Sequence, residues 1–348
     1  MTLHALAPGK TNLCLFLGPR RADGLHELVS VIEPLSLADE LTLELLPGGA
    51  PLAAAVGAGD MACTAGADDV VCAGVDGPNL AGEALAAFRA ASGWDGPPLR
   101  LSIAKHVPVA AGMGGGSGDA AAALRLIAHA AGRPSNDPLL AQLAPRLGAD
   151  VPSQIAPGPM LVGGAGEDVR PLPPLPPHGV LVLPSPHALA TPDVFREADR
   201  LGLGRTRAAL AEWRERLLAA LAPGPAHEPL AASPTAEARA AASNQPPAGR
   251  RPPLPAELLV NDLEPAARSL CPSIDDVLAV ARVAGADHAL VSGSGPTVVG
   301  IFLGPEGPTE AAAAAHELRD RFPGATPAHP VDAAFAAVRG VWHDASSA

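Results

Sequence analysis

Short apolar runs mark the first part of the chain, in the segments LCLFLG, LVSVIEPL and ELTLELL between Leu3 and Leu46. Gly24, Pro34 and Asp39 break these runs, and this is the pattern of strands joined by turns. We therefore predict that the chain begins with a β-rich region.

The next part of the chain alternates helical and strand-like spacing around a glycine-rich segment. The pattern predicts a helix over residues 79–91, a strand over residues 99–109, and helices that begin at Asp119 and Pro138 and end at Gly132 and Gly148. The glycines follow the strand directly. The packed elements of a first domain are expected to end near Val162.

The second half opens with a proline-rich link, PLPPLPPHG, and the apolar strand VLVLPSP. We place the domain boundary at this link, which gives domains of residues 1–172 and 173–348. Residues from about 222 to 255 have too few apolar side chains to form a packed core, which predicts a disordered surface insertion. Two helices, a glycine turn between two strands, a further helix and a last strand are expected after it.

Length and charge narrow the classes of function. A chain of 348 residues predicts two packed domains with a site between them. Its formal charge of -12 argues against nucleic acid or an acidic membrane as a partner. The four cysteines show neither zinc-ligand spacing nor a disulfide framework. The pattern shows no basic leader segment and no long apolar stretch, so we expect a soluble cytoplasmic protein. The sequence does not predict its oligomeric state.

The strongest local signal is the segment PVAAGMGGGSGDAAA, which places five glycines between a predicted strand and a predicted helix. Backbone N–H groups and the positive end of a helix can hold phosphate there. The segment is not a GxGxxG fingerprint, because Ser117 takes the place of the third glycine. Gly9-Lys10-Thr11 is not the end of a Walker A loop, because the earlier glycine is replaced by His4. A flexible glycine turn is the alternative interpretation.

The run PxxxGMGGGSGDAA resembles the phosphate loop of the GHMP kinases, the family named for galactokinase, homoserine kinase, mevalonate kinase and phosphomevalonate kinase. APGKTNLCL resembles the first motif of that family and LVSGSGPTVVGIF its C-terminal glycine motif, and the three span nearly the whole chain in family order. The resemblance implies an α+β fold of two domains. The N-terminal domain would be similar to ribosomal protein S5 domain 2, the C-terminal domain would be a ferredoxin-like split βαβ, and ATP with Mg²⁺ would bind between them.

Within the family, the segments GKTNLCL, RRADGLHEL, GADVPSQI and VNDLEP are most similar to kinases of the non-mevalonate isoprenoid pathway. This resemblance implies a small-molecule substrate, 4-diphosphocytidyl-2-C-methyl-D-erythritol, phosphorylated on its 2-hydroxyl. The residues matched to the nucleotide-binding loop are Pro108, Val109, Ala110, Ala111, Gly112, Met113, Gly114, Gly115, Gly116, Ser117 and Gly118.

Lys10 and Asp150 match the positions that these enzymes use for catalysis. A hydroxyl must lose a proton as it attacks phosphorus, so a carboxylate can accept that proton while a nearby cation keeps the carboxylate ionised. The resemblance therefore makes Asp150 the base and Lys10 its partner. Ser117 is a candidate Mg²⁺ ligand. Taken singly, Asp150 would more often be a helix-start or turn carboxylate and Lys10 a solvated surface charge, and it is their motif context that favours catalysis.

RADGLHEL resembles the family segment that recognises cytosine, with His26 at the position that hydrogen-bonds the base. Leu25 departs from the pattern, since an aromatic residue often stacks on the base there, and Phe195 matches the aromatic residue on the other face. Two outcomes of Leu25 stay open: weaker binding of the base, or compensation by other contacts. For His26, an ordinary turn histidine is the alternative interpretation. Asn12, Leu25, His26, Asp150 and Phe195 are the predicted substrate contacts.

Three further assignments carry alternatives. Asn79 and Lys105 match the adenine pocket, but a helix cap and a solvated lysine would look the same. The segment SGSGPT at residues 292–297 predicts a close approach to the phosphate loop, with a tight hairpin as the alternative. Asp262 and Glu264 are assigned no catalysis, because the adjacent proline favours a helix entry.

Two rival functions are open. Another GHMP kinase, acting on homoserine or a mevalonate-type acid, is disfavoured by RADGLH and Phe195. A non-catalytic nucleotide-binding protein of the same fold would be expected to lack Lys10, Asp150 or the glycines, all of which are present. Release of ADP with each candidate acceptor separates these functions.

Overall fold

The computed structural model describes residues 1–46, 63–65, 68–75, 78–222, 250 and 252–341. Two β-sheets organise this part of the chain. The strands of the larger sheet are β1 (Thr2–Arg20), β2 (His26–Leu45), β3 (Cys63–Ala65), β4 (Asp68–Cys72), β5 (Leu99–Ala104), β6 (Met160–Gly163), β7 (Asp168–Pro171) and β12 (Arg339–Val341). The strands of the smaller sheet are β8 (His178–Leu183), β9 (His288–Val291), β10 (Val298–Leu303) and β11 (Thr326–Ala328).

Helices cover both sheets. They are α1 (Leu80–Ser92), α2 (Gly115–Ala130), α3 (Pro138–Leu147), α4 (Val151–Gln154), α5 (Thr191–Leu201), α6 (Arg207–Leu221), α7 (Glu264–Leu270), α8 (Ile274–Val283) and α9 (Gly307–Leu318), with a 3₁₀ turn at Ala256–Leu258. None of these helices in the described residues combines the length and apolar character needed to cross a bilayer.

The predicted β-rich start consists of two long antiparallel strands, β1 and β2, joined at the turn that contains Gly24. Pro34 and Asp39, which were expected to break the strands, lie inside β2. The pairing shifts register at Pro8/Lys10, Asn12/Cys14 and Leu17/Arg20. Such irregularities bend a strand without ending it, and they re-aim side chains where they occur. Lys10 and Asn12 lie at two of these shifts.

The core of the larger sheet is formed mainly by α1 and α2 together with buried apolar residues of β1, β2 and β5. Helix α2 packs on β1 and β2, and α1 packs on α2. Residues 120–123 of α2 are alanines and are inaccessible to solvent. Because their side chains are small, α2 lies close against the sheet. The helix begins at Gly115, four residues before the predicted start, so several glycines of the loop form its first turn.

The smaller sheet has the strand order β11-β8-β10-β9, with all neighbours antiparallel. Helix α9 packs on β8 and α8 packs on β10. Numbered along the chain, the four strands are ordered 4-1-3-2, which is the order of a ferredoxin-like split βαβ fold. The predicted fold class is therefore confirmed.

Two features bear on the expected domains. Strand β12, near the end of the chain, pairs with β1, so the larger sheet takes strands from both ends of the sequence. The boundary at residues 172/173 stays a prediction. The expected insertion at residues 222–255 lies mostly outside the described residues. At its carboxyl end, however, Pro253 and Leu254 are buried, so packed structure resumes earlier than the composition suggested.

Candidate active site

A cavity of about 840 Å³ is lined by all three sequence motifs. Residues of β1, the glycine loop before α2, the amino-terminal part of α5 and the turn between β9 and β10 surround it. The predicted site residues that line it are Lys10, Asn12, Leu25, His26, Asn79, Lys105, Pro108, Val109, Ala110, Ala111, Gly112, Gly114, Gly115, Gly116, Ser117, Asp150 and Phe195. The structure thus brings together residues that are widely separated in the sequence.

Lys10 and Asp150 face each other in the middle of this set. The ammonium nitrogen of Lys10 lies 3.4 Å from Oδ2 of Asp150. The Lys10 side chain is buried, whereas that of Asp150 is 37% exposed and lies at the start of α4 without capping its helix. The carboxylate is therefore held beside a fixed positive charge but remains open to a ligand in the cavity.

Asn12 holds Lys10 from the other side. Lys10 Nζ donates a 2.8 Å hydrogen bond to Asn12 Oδ1, and Asn12 Nδ2 donates to Ser30 Oγ at 2.7 Å. Ser30 in turn donates to the carbonyl of Cys14. This buried chain leaves Lys10 little rotational freedom, so Asn12 positions Lys10 and also lines the cavity.

The glycine loop touches the Lys10–Asp150 pair. Gly114 has φ +65°, and a Cβ there would lie 3.0 Å from Cε and Cγ of Lys10 and 3.5 Å from Oδ2 of Asp150. Met113 and Gly118 were predicted to bind the nucleotide, but they are absent from the cavity lining. The Met113 side chain packs in the core while its carbonyl accepts the backbone N–H of Lys10 at 2.8 Å. Gly118 packs against the backbone of Pro8.

The C-terminal glycine motif, residues 292–297, lies directly against the glycine loop before α2. Gly112 has φ +74°, and a Cβ there would lie 2.2 Å from the carbonyl oxygen of Ser292. A Cβ on Gly293 would lie 3.2 Å from both Lys10 Nζ and Asn12 Oδ1. The predicted close approach of residues 292–297 to the phosphate loop is thus seen, and a side chain at either glycine would prevent it.

Lys105 lies in a buried cluster of charges beneath the loop. Its ammonium contacts the carboxylates of Asp39 and Asp119, the latter at 2.7 Å, and lies 3.3 Å from where a Gly115 Cβ would be. Burial raises the pKa of the Asp119 carboxyl from 3.8 to about 7; the Lys105 charge opposes the rise and the Asp39 carboxylate adds to it. Lys105 is therefore not a solvated lysine. It ties α2, through Asp119, to β2, through Asp39.

Asn79 is the N-cap of α1, because its side chain accepts the backbone N–H of Ala81 at 2.9 Å. The alternative of a helix cap is thus observed, and the same residue lines the cavity beside Leu80. Both roles are compatible, since capping engages one of the side-chain amide's two polar atoms.

The other end of the cavity contains the predicted base-recognition residues. His26 is buried at the start of β2, and its ring lies 5.2 Å from the ring of Phe195 at an angle of 34°. His26 Nε2 lies 2.7 Å from Oδ1 of Asp199. Leu25, in contrast, is 54% exposed at the cavity wall. The rings of His26 and Phe195 therefore lie together, whereas the side chain of Leu25 is exposed to solvent.

Several residues of this site were not identified from the sequence. Asp199 contacts His26, Ser30 supports Asn12, and Asp39 and Asp119 flank Lys105. A carboxylate within the alanine-rich start of α2 was a usable signal for Asp119, since an unpaired charge is unfavourable there. Nothing in the local pattern distinguishes Asp199 from a solvated helix charge.

Asn261 was also missed, and it holds the C-terminal glycine motif. Its side-chain amide donates to the carbonyls of Val291 and Gly293 at 2.9 and 2.7 Å. The neighbouring Asp262 accepts the backbone N–H of Leu17 and pairs with Arg205. These contacts are structural, which agrees with assigning Asp262 no catalysis.

Comparison with known proteins gives a family for this arrangement. The family model described as GHMP kinases N terminal domain matches residues 79–162, and GHMP kinases C terminal matches residues 240–324. A 4-diphosphocytidyl-2-C-methyl-D-erythritol kinase of Anaeromyxobacter dehalogenans is 36% identical over 87% of this chain and 82% of its own. The kinase of the same name from Streptomyces coelicolor is 36% identical over 85% of this chain and 86% of its own.

Solved structures agree with this relationship. The crystal structure of a 4-(cytidine 5'-diphospho)-2C-methyl-D-erythritol kinase is similar with a TM-score of 0.63 and 31% identity, covering 94% of this chain and 98% of that one. A homoserine kinase from Cytophaga hutchinsonii has the same TM-score at 17% identity and so shares the fold alone. The chain belongs to the GHMP kinase family.

Proposed function

We propose that this chain transfers the γ-phosphoryl group of ATP to the 2-hydroxyl of 4-diphosphocytidyl-2-C-methyl-D-erythritol. The observation that carries the proposal is that one cavity joins the glycine loop, the Lys10–Asp150 pair and the His26–Phe195 rings. A nucleotide at the loop and a cytosine at the rings would place their reacting groups between the two ends. The relatives that share this sequence over most of their length act on the same compound by name.

Asp150 is proposed to accept the proton of the attacking hydroxyl. Its carboxylate is open to the cavity and lies 3.4 Å from the buried ammonium of Lys10, so a carboxylate is available where an acceptor hydroxyl could enter. Lys10 also lies against Gly114 and Gly293, so its charge is close to where the transferred phosphoryl group would lie. It would offset negative charge that develops there.

The glycine loop is proposed to hold the phosphates of ATP. Its last glycines form the first turn of α2, where backbone N–H groups have no partner inside the helix. Asn79 and Lys105, at the same end of the cavity, are proposed to flank the adenosine half. The proposed set is the loop at positions 108–118, within which Met113 and Gly118 support the loop without lining the cavity. The Met113 carbonyl accepts the N–H of Lys10, and the Gly118 N–H is bonded to the Gly114 carbonyl.

The residues present fit a Mg²⁺ ion brought in with ATP. No cluster of three His, Cys, Asp or Glu side chains suited to a metal occurs in the described part of the chain, so an all-protein cage is absent there. Magnesium bound to nucleotide phosphates needs only one or two protein oxygens. Ser117 lines the cavity, and Oδ1 of the neighbouring Asp119 is buried without a hydrogen-bond partner. These two would hold the ion, which would offset phosphate charge.

The cytosine base of the acceptor is proposed to be bound by His26, Phe195 and Leu25. Asn12 is proposed to lie near the acceptor hydroxyl. Phe195 and Leu25 offer apolar surface to the base, and the buried imidazole of His26 offers a hydrogen bond. We further propose that the enzyme acts in the cytoplasm, where ATP is available and free thiols such as the buried Cys14 stay reduced.

Measurement of ADP release with a panel of acceptors tests the proposal. The purified chain with MgATP should release ADP with 4-diphosphocytidyl-2-C-methyl-D-erythritol and at background rates with homoserine, mevalonate or no acceptor. Turnover with homoserine or mevalonate instead would replace the substrate. Background release with every acceptor would indicate a nucleotide-binding protein without kinase activity.

A further inference from the structure

We propose that Asp199 is a positioning residue that fixes the tautomer of His26 and thereby selects a cytosine base over a uracil base. This inference rests on the proposed function, because it assumes that His26 faces the base of the acceptor. It adds to that function a residue outside the recognised motifs and a reason for the choice of base.

Two residues of α5 contact the ring of His26. His26 lies at the start of β2, and Asp199 lies on α5, where it follows Phe195 by one helical turn. The same face of α5 therefore supplies both the ring that packs on His26 at 5.2 Å and the carboxylate oxygen that lies 2.7 Å from Nε2. Two contacts from one rigid element fix the ring plane of His26.

Other charged side chains of α5 pair with each other. Arg196 pairs with Asp193, and Arg200 pairs with Glu197, each within the helix. In the described part of the chain, Asp199 has no ion-pair partner other than His26. Its side chain is 45% exposed, whereas that of His26 is 6% exposed. The carboxylate thus stays hydrated and available as an acceptor, while the imidazole it contacts is buried.

The contact with Asp199 selects one tautomer of His26. An ionised carboxylate only accepts hydrogen bonds, so the 2.7 Å contact requires the proton of a neutral imidazole to be on Nε2. Nδ1 then carries a lone pair, and it has no hydrogen-bond partner among the residues that the structure describes. His26 lines the cavity, and Nδ1 is the ring nitrogen that this contact leaves available as an acceptor.

This acceptor distinguishes the two pyrimidines. The 4-amino group of cytosine can donate to Nδ1, whereas the 4-carbonyl oxygen of uracil would place two acceptors opposite each other. A site built around a fixed acceptor rejects a ligand that leaves it unpaired. The fixed tautomer thus favours a cytidine-linked over a uridine-linked acceptor.

The kinetic test compares Asp199→Leu and Asp199→Asn with the parent on the cytidine-linked acceptor and its uridine-linked analogue. Leucine removes the hydrogen bond, and asparagine can donate to Nε2 as well as accept from it. In both variants the proton of the neutral His26 ring is therefore no longer restricted to Nε2. The preference for cytidine in kcat/KM should fall about tenfold, mainly through KM for the acceptor, with KM for ATP unchanged. Asp193→Asn, on the same helix but outside the cavity lining, is the matched control and should keep the preference. An unchanged preference in both Asp199 variants would overturn the proposal.

A second measurement does not depend on the substrate. Long-range ¹H–¹⁵N NMR of the ligand-free protein, with the His26 signals assigned by His26→Gln, should show a protonated Nε2 and an unprotonated Nδ1. Asp199→Leu should show a mixture of tautomers. Protonation of Nδ1, or of both nitrogens, in the parent would overturn the proposal. If the parent did not phosphorylate the cytidine-linked acceptor, the proposed function would fail while this spectrum still decided the role of Asp199.

Discussion

The ammonium of Lys10 lies 3.4 Å from Oδ2 of Asp150, and both residues border the same cavity. Lys10 lies at a register shift of β1, and Asp150 directly precedes α4. Gly114 approaches both side chains because it has no Cβ. The pair therefore joins the first motif of the chain to its glycine loop. This is the place where a hydroxyl and a phosphoryl group would have to meet.

Asp150→Asn should lower kcat by about 10²–10⁴, because the amide keeps the size of the carboxylate but cannot accept the proton. The KM values for both substrates should change little. Steady-state kinetics measure this effect, with Asp276→Asn, an exposed position on α8, as the control. A correctly folded Asp150→Asn enzyme with near-parental kcat would exclude Asp150 as the base.

The sequence predicted that Lys10, Asp150 and the glycine loop belong to one site because each lies in a contiguous motif with a recognisable order, and the structure places all three around one cavity. It placed the start of α2 at Asp119, whereas the helix begins at Gly115. Glycine has low helix propensity, so a propensity pattern cannot show that the loop itself forms the first turn. Under the proposed function, that turn would present its N–H groups to a phosphate.

The supporting contacts were beyond the sequence pattern. Asp39 was expected to break a strand, but in the structure its carboxylate accepts the backbone N–H groups of His106 and Val107 and pairs with Lys105. Helix α5, which carries Asp199, was not among the predicted elements. Contacts of this kind join segments far apart in the chain, and one chain's local periodicity contains no information on such pairing.

Gly112→Ala should destabilise the fold and abolish most activity, because the added Cβ would lie 2.2 Å from the Ser292 carbonyl oxygen. Gly132→Ala is a matched control, since its φ of +71° is similar to the +74° of Gly112 but nothing lies within 4 Å of its Cβ. The control should lose about 1–2 kcal/mol of unfolding free energy from backbone strain. Gly112→Ala should lose about 1–3 kcal/mol more.

Urea denaturation measures both free energies, and ADP release measures activity. Gly132→Ala should keep its activity. Equal losses of unfolding free energy in the two variants would show that the fold does not depend on the close contact between residues 112 and 292.

Leu25→Tyr should strengthen binding of the cytidine-linked acceptor, because it restores an aromatic face opposite Phe195 where the wall of the cavity is now an exposed leucine. Aromatic stacking is worth about 0.5–1.5 kcal/mol, which corresponds to a fall in Kd of roughly 2- to 10-fold. Titration calorimetry measures the change, and Leu25→Ala should shift Kd in the opposite direction. Weaker binding by the tyrosine variant would mean that the base does not lie against residue 25.

Asp119 should make stability depend on pH. Burial raises its pKa from 3.8 to about 7, so between these values the folded state holds a proton that the unfolded state has released. The stabilising contribution of this proton is present at low pH and is lost as the pH rises to about 7. The unfolding free energy of the parent, relative to Asp119→Asn, should therefore fall between pH 5 and pH 8.

Denaturant titration at several pH values tests this dependence. Asp137→Asn is the control, because the hydrogen bond from Arg133 lowers the pKa of Asp137 and places its titration below this range. A parent–variant difference that stayed constant from pH 5 to pH 8 would show that Asp119 does not titrate there.

The most direct test of the central claim is the position of the new phosphate ester. The purified chain should be incubated with MgATP and 4-diphosphocytidyl-2-C-methyl-D-erythritol, and the product analysed by ³¹P and ¹³C NMR. One ADP should be released for each product molecule, and the new phosphate ester should be on the 2-hydroxyl of the methylerythritol. An ester at any other hydroxyl, or no transfer to this acceptor by an active enzyme, would contradict the claim.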